Sequence, residues 1–289
     1  MNGALLVDKP DGPTSHDVVA RARRLFRTRA VGHAGTLDPF ATGLLVLVFG
    51  GATRLARWAA RHPKTYLARI RLGVTTATDD RTGEVLAVTT PPEWPRRAAI
   101  EEALQRLSGP QAQRPPAYSA KRVAGERSYR AARRGALVEP PAAEVTVHSI
   151  ALLAWEPPVV TVRTTVSSGT YIRALGRDLG VQLGVGAHVA ELRREMVGVW
   201  RVEDATPLER LSGSEPLLSP RALVADLPEV PLEPEESAAV RHGRDVARPD
   251  STEGEAALLA DGRLVAVARA VPGGWHPVVV LADGVEPEA

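Results

Sequence analysis

Apolar positions along this chain follow two periods. Leu5-Leu6-Val7 and Leu44-Leu45-Val46-Leu47-Val48-Phe49 are short continuous apolar runs. The first predicts a strand. The second predicts a buried strand or a turn of buried helix, which periodicity alone does not separate. From Tyr66 to Gly73 apolar and polar residues alternate, as on a half-buried strand. Residues 145–153 and 159–166 alternate in the same way and are predicted to pair around Pro157-Pro158. Residues 84–88 predict a further strand, after a polar turn that carries Asp79-Asp80.

A period near 3.6 appears where Val18, Val19, Ala22, Leu25 and Phe26 share one face, with Thr14 or Ser15 placed to cap the helix. A second helix is predicted over residues 99–107, with Ile100, Leu104 and Leu107 inward and Gly109-Pro110 closing it. Beyond Glu203, six prolines (207, 216, 220, 228, 231, 234) interrupt the chain, which puts a boundary near residue 228. After it, strands are predicted near 256–259, 264–268 and 278–281, with a hairpin signal at Asp261-Gly262. The expected organisation is therefore a large unit, 1–228, and a small β-barrel, 229–289.

Composition sets outer limits. A chain of 289 residues, 44% hydrophobic, suits one large domain plus a small one. No apolar run reaches membrane-spanning length, so no membrane contact is expected. The first apolar stretch carries Asp8 and Lys9, so it is not read as a signal peptide, and a cytoplasmic location is expected. Absence of cysteine excludes disulfides, thiolate metal sites and a cysteine nucleophile.

Net charge is only +2, yet it is unevenly spread. Residues 1–80 hold 12 Lys/Arg against six Asp/Glu, and residues 114–134 hold seven against one. Residues 202–289 hold seven Arg against 17 acids. A basic front that meets phosphate and a more acidic tail follow from this split. Nearly every base is Arg, the residue that forks onto phosphate and stacks on bases, although a GC-rich genome gives the same bias. The cluster around Arg114, Lys121, Arg122, Arg127 and Arg130, interleaved with Tyr118 and Tyr129, fits RNA backbone contact or an ordinary basic surface loop.

One stretch concentrates candidate chemistry: Gly32-His33-Ala34-Gly35-Thr36-Leu37-Asp38-Pro39-Phe40-Ala41-Thr42-Gly43. It sets a single carboxylate, Asp38, between glycines that free the backbone and an apolar run that can anchor it. From the residues alone this is either a held catalytic carboxylate or an Asp-Pro turn. No phosphate-cradling Gly-Lys-Ser/Thr loop and no metal-ligand cluster is legible.

That stretch resembles the signature of the TruB family of tRNA pseudouridine synthases. Four further segments match in the family's order: the Lys9-Pro10-Asp11-Gly12 turn, Lys64-Thr65-Tyr66, Pro115-Pro116-Ala117-Tyr118-Ser119-Ala120-Lys121, and Gly169-Thr170-Tyr171-Ile172-Arg173 followed by residues 186–194. Two departures are visible. Lys121 sits one residue early for the family pattern, and Ser168 stands where many members carry Lys.

The resemblance implies an α+β fold: a mixed, mostly antiparallel central sheet with flanking helices, plus a C-terminal barrel of PUA type. It implies a thumb-like basic insertion at about 114–138. Its implied activity is isomerisation of uridine 55 in the T-loop of tRNA to pseudouridine, by base flipping, glycosidic cleavage, rotation and rejoining at C5. It implies catalytic roles for Asp38, for Tyr66 stacked on the base, and for Arg173 paired with Asp38. Substrate contact falls to His33, Tyr171, Leu192 and Lys9, with Lys9 and Pro10 supporting the loop. RNA contact falls to Lys64, Arg114, Lys121, Arg122, Arg127, Arg130, Arg193 and Arg194. No cofactor or metal, no obligate protein partner and a monomeric state are expected. Two other readings stay open at this stage: an RNA-guided synthase subunit of the dyskerin branch, and a non-catalytic RNA-binding protein or tRNA chaperone.

Overall fold

A computed structural model describes residues 1–116, 122–123, 126–127, 141–248 and 253–281, with only the backbone of 122–123 and 126–127. The chain begins with β1 (Gly3–Lys9), α1 (Ser15–Leu25), β2 (Val31–His33), β3 (Thr42–Phe49), α2 (Ala56–Arg61) and β4 (Lys64–Leu72). A hairpin of β5 (Val74–Thr76) and β6 (Val85–Val88) follows, then α3 (Arg97–Arg106) and β7 (Gly109–Gln113). After the two-residue strands β8 (Arg122–Val123) and β9 (Glu126–Arg127) come β10 (Ala143–Glu156), β11 (Val159–Val166), α4 (Ile172–Gln182), β12 (Ala187–Val197), β13 (Trp200–Arg201) and β14 (Thr206–Pro207). The C-terminal part holds β15 (Glu229–Pro231), α5 (Pro234–Arg241), β16 (Val246–Ala247), β17 (Glu255–Ala260), β18 (Arg263–Val271) and β19 (Gly274–Val280).

The central sheet runs β14-β1-β3-β12-β4-β11-β10-β7, with β2 also on β3 and β13 on β12. It is antiparallel except at β1–β14 and β3–β12. β3 settles the ambiguity of its apolar run. Leu45, Leu47 and Phe49 enter one core while Leu44, Val46 and Val48 enter another. A strand buried on both faces needs no alternation. β4 does alternate: Tyr66, Ala68, Ile70 and Leu72 are buried, and the residues between them are not.

The first core packs α1, α3 and α4 onto the face that carries Tyr66. α1 starts on Thr14, whose hydroxyl accepts from the Asp17 amide while the Asp17 carboxylate accepts from the Thr14 amide. The second core lies between β3, α2 and a curled, open five-stranded sheet of order β15-β17-β18-β19-β16. Its β17–β18 hairpin turns on Asp261 (φ 50°) and Gly262 (φ 73°), as the sequence signal predicted. Two expectations change. Gly109-Pro110 opens β7, which pairs with β10, rather than closing a helix. Pro234 starts α5, because proline costs nothing in a first turn whose amides lack partners.

The segment between β2 and β3 is pinned from below. Lys9 is 0% exposed, and its ammonium donates to the carbonyls of Pro10 (2.8 Å), Pro13 (2.8 Å) and Pro39 (3.0 Å). Three protons meet three acceptors, so the expected substrate contact for Lys9 is corrected: it supports the loop and has no donor left for RNA. The Ser15 hydroxyl accepts from the Leu37 amide (2.8 Å) and donates to the Leu37 carbonyl (3.1 Å). Gly43 is required as glycine: its φ is +100°, and an added Cβ would stand 2.3 Å from the Arg194 carbonyl.

Lys9→Met keeps the stem but orphans three carbonyls in a dry setting. We predict a loss of about 3 kcal/mol of stability, read as a lower midpoint in denaturant unfolding. A midpoint equal to wild type would show that Lys9 does not hold the loop.

Candidate active site

A pocket of about 250 Å³ opens between the β2–β3 loop, β4, β12 and the turn that enters α4. Asp38, Tyr66, Tyr171, Arg173, Leu192 and Lys64 are among its walls. The sheet explains why distant positions meet. β12 pairs with β4 so that Leu192 lies opposite Ala68 and Arg194 opposite Tyr66. Arg194 also lies beside Gly43 at the start of β3. The loop that carries Asp38 therefore projects over the strand that carries Tyr66.

Arg173, the second residue of α4, is 4% exposed. Its Nε stands 2.9 Å from Asp38 Oδ2, and its Nη2 donates to Asp38 Oδ1 at 3.3 Å. Its Nη1 donates to the Thr78 carbonyl (2.8 Å) and stands 3.3 Å from Asp80 Oδ2. The guanidinium thus sits between two carboxylates. Asp80 is fixed in turn: its Oδ1 accepts from the Thr82 amide (2.9 Å) and from the hydroxyls of Thr82 (2.6 Å) and Thr78 (2.8 Å). The turn itself bonds β12, through Val189 N–H to the Asp79 carbonyl (3.0 Å) and Arg81 N–H to the Val189 carbonyl (3.1 Å).

The electrostatics follow from this enclosure. The Asp38 side chain keeps 35% of its surface, open toward the pocket, with protein on its other sides. Burial raises its pKa above the ordinary carboxylate value, Arg173 works against that rise, Asp80 adds to it, and Lys9 opposes it. The net direction is upward. Arg173 pairs with the carboxylate without fully cancelling the cost of burial.

Tyr66, Tyr171 and Leu192 line the pocket. The Tyr171 backbone is clamped by Gln113, which accepts from its amide (2.8 Å) and donates to its carbonyl (3.1 Å). Lys64 also lines the pocket, but it is buried with its ammonium on the Ala60 carbonyl, and burial beside Arg194 lowers its pKa to about 8. His33 lies on β2, outside the pocket lining, with a buried Nδ1 that has no hydrogen-bond partner among the described residues. Burial, then the charges of Arg194 and His16, lower its pKa.

The expected RNA contact for Arg194 is corrected. It is 1% exposed, and its guanidinium donates to the carbonyls of Leu44 (2.7 Å), Gly35 (3.1 Å) and Thr36 (3.3 Å). It braces the Asp38 loop from inside. Arg193 forks onto Asp8 at 2.7 and 3.1 Å. It borders a second pocket of about 290 Å³ with Phe40, Leu67 and Arg69. Arg114 is exposed, and its carbonyl accepts from Arg177, which also pairs with Asp79 (3.0 Å). Lys121 and Arg130 lie outside the described residues, as do the side chains of Arg122 and Arg127.

Asp80, Thr78 and Gln113 went unassigned in the sequence. A polar Asp-Asp turn was the only signal available for Asp80, and it did not reveal which Arg it would face. Among the described residues, no three His, Asp or Glu side chains gather to hold a metal ion. No described helix is long and apolar enough to cross a membrane.

Residues 23–172 match the family model of the TruB family pseudouridylate synthase N-terminal domain, and residues 173–217 match that of the tRNA pseudouridylate synthase B C-terminal domain. The tRNA pseudouridine synthase B of Thermobifida fusca is 46% identical over 97% of this chain and 99% of its own length. That of an Azoarcus species is 40% identical over 98% and 95%. Among solved structures, a chain of a Cbf5-Nop10-Gar1 complex is similar with a TM-score of 0.74 and 27% identity, covering 97% of this chain and 84% of that one. The matched family models cover residues 23–217 and the relatives match over nearly the full length, so the chain belongs to the TruB family of pseudouridylate synthases.

Proposed function

We propose that this protein converts one uridine of the tRNA T-loop, position 55 by convention, to pseudouridine, with Asp38 as its catalytic residue. Relatives named tRNA pseudouridine synthase B over nearly the full length support tRNA pseudouridine formation. The observation that carries the reading is a single carboxylate held against Arg173 in a pocket walled by Tyr66 and Leu192. At about 250 Å³ the pocket lies below the roughly 300–1,000 Å³ of drug-sized sites, a size that suits one extruded base.

A stacked base hides its reactive atoms, so the target uridine must leave the loop and enter the pocket. Asp38 then starts cleavage of the N1–C1′ bond, by adding to the ribose or the base or by taking the 2′ proton. Each route needs the ionised carboxylate. The freed uracil turns within the pocket, C5 bonds C1′, C5 gives up its hydrogen, and N1 takes up a proton. Atoms and oxidation level are unchanged between substrate and product, so the reaction consumes no cofactor. Tyr66 stacks beneath the base and is placed to receive the C5 proton, Leu192 packs the base's other side, and Tyr171 flanks it. Arg173 holds Asp38 in line.

His33 lies where the extruded base leaves its neighbours. In this reading Arg193, Arg114, Lys121, Arg122, Arg127 and Arg130 supply contacts to the T-arm backbone, and Lys64 acts from the pocket wall. Residues 1–228 form the catalytic unit, and residues 229–289 form an RNA-binding unit of PUA type. The protein acts as a monomer on naked tRNA without a protein partner, in the cytoplasm.

Three outcomes test this. A full tRNA transcript incubated with the protein should show one new carbodiimide-dependent primer-extension stop, in the T-loop. Stops elsewhere would overturn the specificity. The rate should fall on the acid side as pH drops through the raised pKa of Asp38, because the protonated carboxyl is inert. Arg173→Gln removes the influence that lowers this pKa, so the acid limb moves to higher pH while kcat falls by about 100-fold. A limb that stays in place would separate Arg173 from the titration of Asp38.

A further inference from the structure

The C-terminal sheet meets the catalytic unit through an apolar contact with charged groups at it, among them Arg54 on the Val280 carbonyl, Arg221 on Glu229, and Glu255. Trp58 of α2 is fully buried among Leu259, Leu264, Val267 and Val279. Its indole N–H donates to Glu255 Oε2 at 2.9 Å, at the first residue of β17. Arg61 donates to the same oxygen at 2.7 Å, and Arg57 reaches the other oxygen at 3.9 Å. The Arg57 guanidinium also lies 4.0 Å from the centre of the Trp58 ring. One carboxylate from the C-terminal sheet thus accepts from two side chains of a six-residue helix and lies near a third.

Between Trp58 and Arg61, the same helix carries a wall of the catalytic pocket. Ala60 lines the pocket, and its carbonyl accepts from Lys64 Nζ and from Ser168 Oγ (2.7 Å), which line it too. Ser168 belongs to the turn that enters α4 and delivers Tyr171 and Arg173. The connection from α2 to β4 is fastened on its far side, where Gly198 N–H donates to the Pro63 carbonyl (2.9 Å) and His62 meets Trp200 edge to face. The β4–β11 pairing of Lys64 with Val166 fixes the two backbones, and the Ala60 carbonyl, carried by α2, fixes where the Lys64 ammonium and the Ser168 hydroxyl end.

We propose that Glu255 is a positioning residue for the isomerisation: by holding Trp58 and Arg61 it sets α2, and through the Ala60 carbonyl it sets the Lys64–Ser168 wall against which the target uridine is held. This rests on the reading of the site as a tRNA uridine isomerase. It gives the C-terminal sheet a part in the rate of the chemical step, separate from any contact it makes with RNA.

The experiment uses the full chain and a T-arm RNA carrying 5-tritiated uridine, with enzyme in excess, so that tritium release reports a single turnover. RNA affinity is measured separately by filter binding. Glu255→Ala should slow release by about tenfold while affinity stays within about twofold, since a misplaced wall affects the reacting geometry more than docking. Glu255→Gln keeps an acceptor for the indole N–H and should recover most of the rate. Trp58→Phe keeps the ring but loses that N–H; it should slow release, and adding Glu255→Ala should then cost less than it does alone. Glu255→Ala must melt above the assay temperature; if it does not, the Gln and Phe variants carry the same test. Equal rates in all variants, or a loss confined to affinity, would overturn the proposal while leaving the isomerase reading intact. Absence of release by wild type would remove that reading, and this inference with it.

Discussion

Arg173 carries its charge where only 4% of the residue reaches solvent, and a charge so placed must be paired. It is paired twice, with Asp38 toward the pocket and with Asp80 toward the interior. Asp80 has its own donors in Thr78 and Thr82, so it stays fixed whatever happens at Asp38. The result is an asymmetric sandwich. One carboxylate is fully engaged and structural. The other keeps an open side facing the place a base would occupy, and burial has raised its pKa without detaching it from the guanidinium.

The loop that bears Asp38 owes its shape to buried cations bonded to backbone carbonyls. Lys9 holds Pro10, Pro13 and Pro39, and Arg194 holds Gly35, Thr36 and Leu44. A glycine-rich loop has few side chains with which to pack, so its carbonyls are the handles available. Lys and Arg suit that role because they offer several donors and accept nothing. A loop fixed this way loses little entropy when a ligand arrives.

Periodic features were legible in the sequence. β4 alternates as read, the Thr14–Asp17 cap is local, and the Asp261-Gly262 turn needs only its own two residues. The motifs also led to Asp38, Tyr66, Leu192 and Arg173, which the sheet brings to one pocket. Partnerships set by the fold were not legible. The support Lys9 gives its loop was expected, but not the three carbonyls it meets, and Arg194 looks like an RNA-binding base until the carbonyls of a distant loop are seen around it. Asp80 looks like a turn residue until α4 delivers Arg173 beside it. Glu255 looks like one more acid in an acidic tail until Trp58 is found beneath it. Local pattern carries the elements, whereas a buried charge declares its purpose only through neighbours far away in sequence.

The central claim is that this chain alone, through Asp38, moves a uracil from N1 to C5 attachment. C5 must lose its hydrogen in that step, so tritium release from 5-tritiated uridine in a T-arm RNA reports it directly. With no added protein, metal or nucleotide, wild type should release tritium and Asp38→Asn should release none while still binding the RNA. Release by both proteins, or by wild type only after a partner is added, would contradict the account.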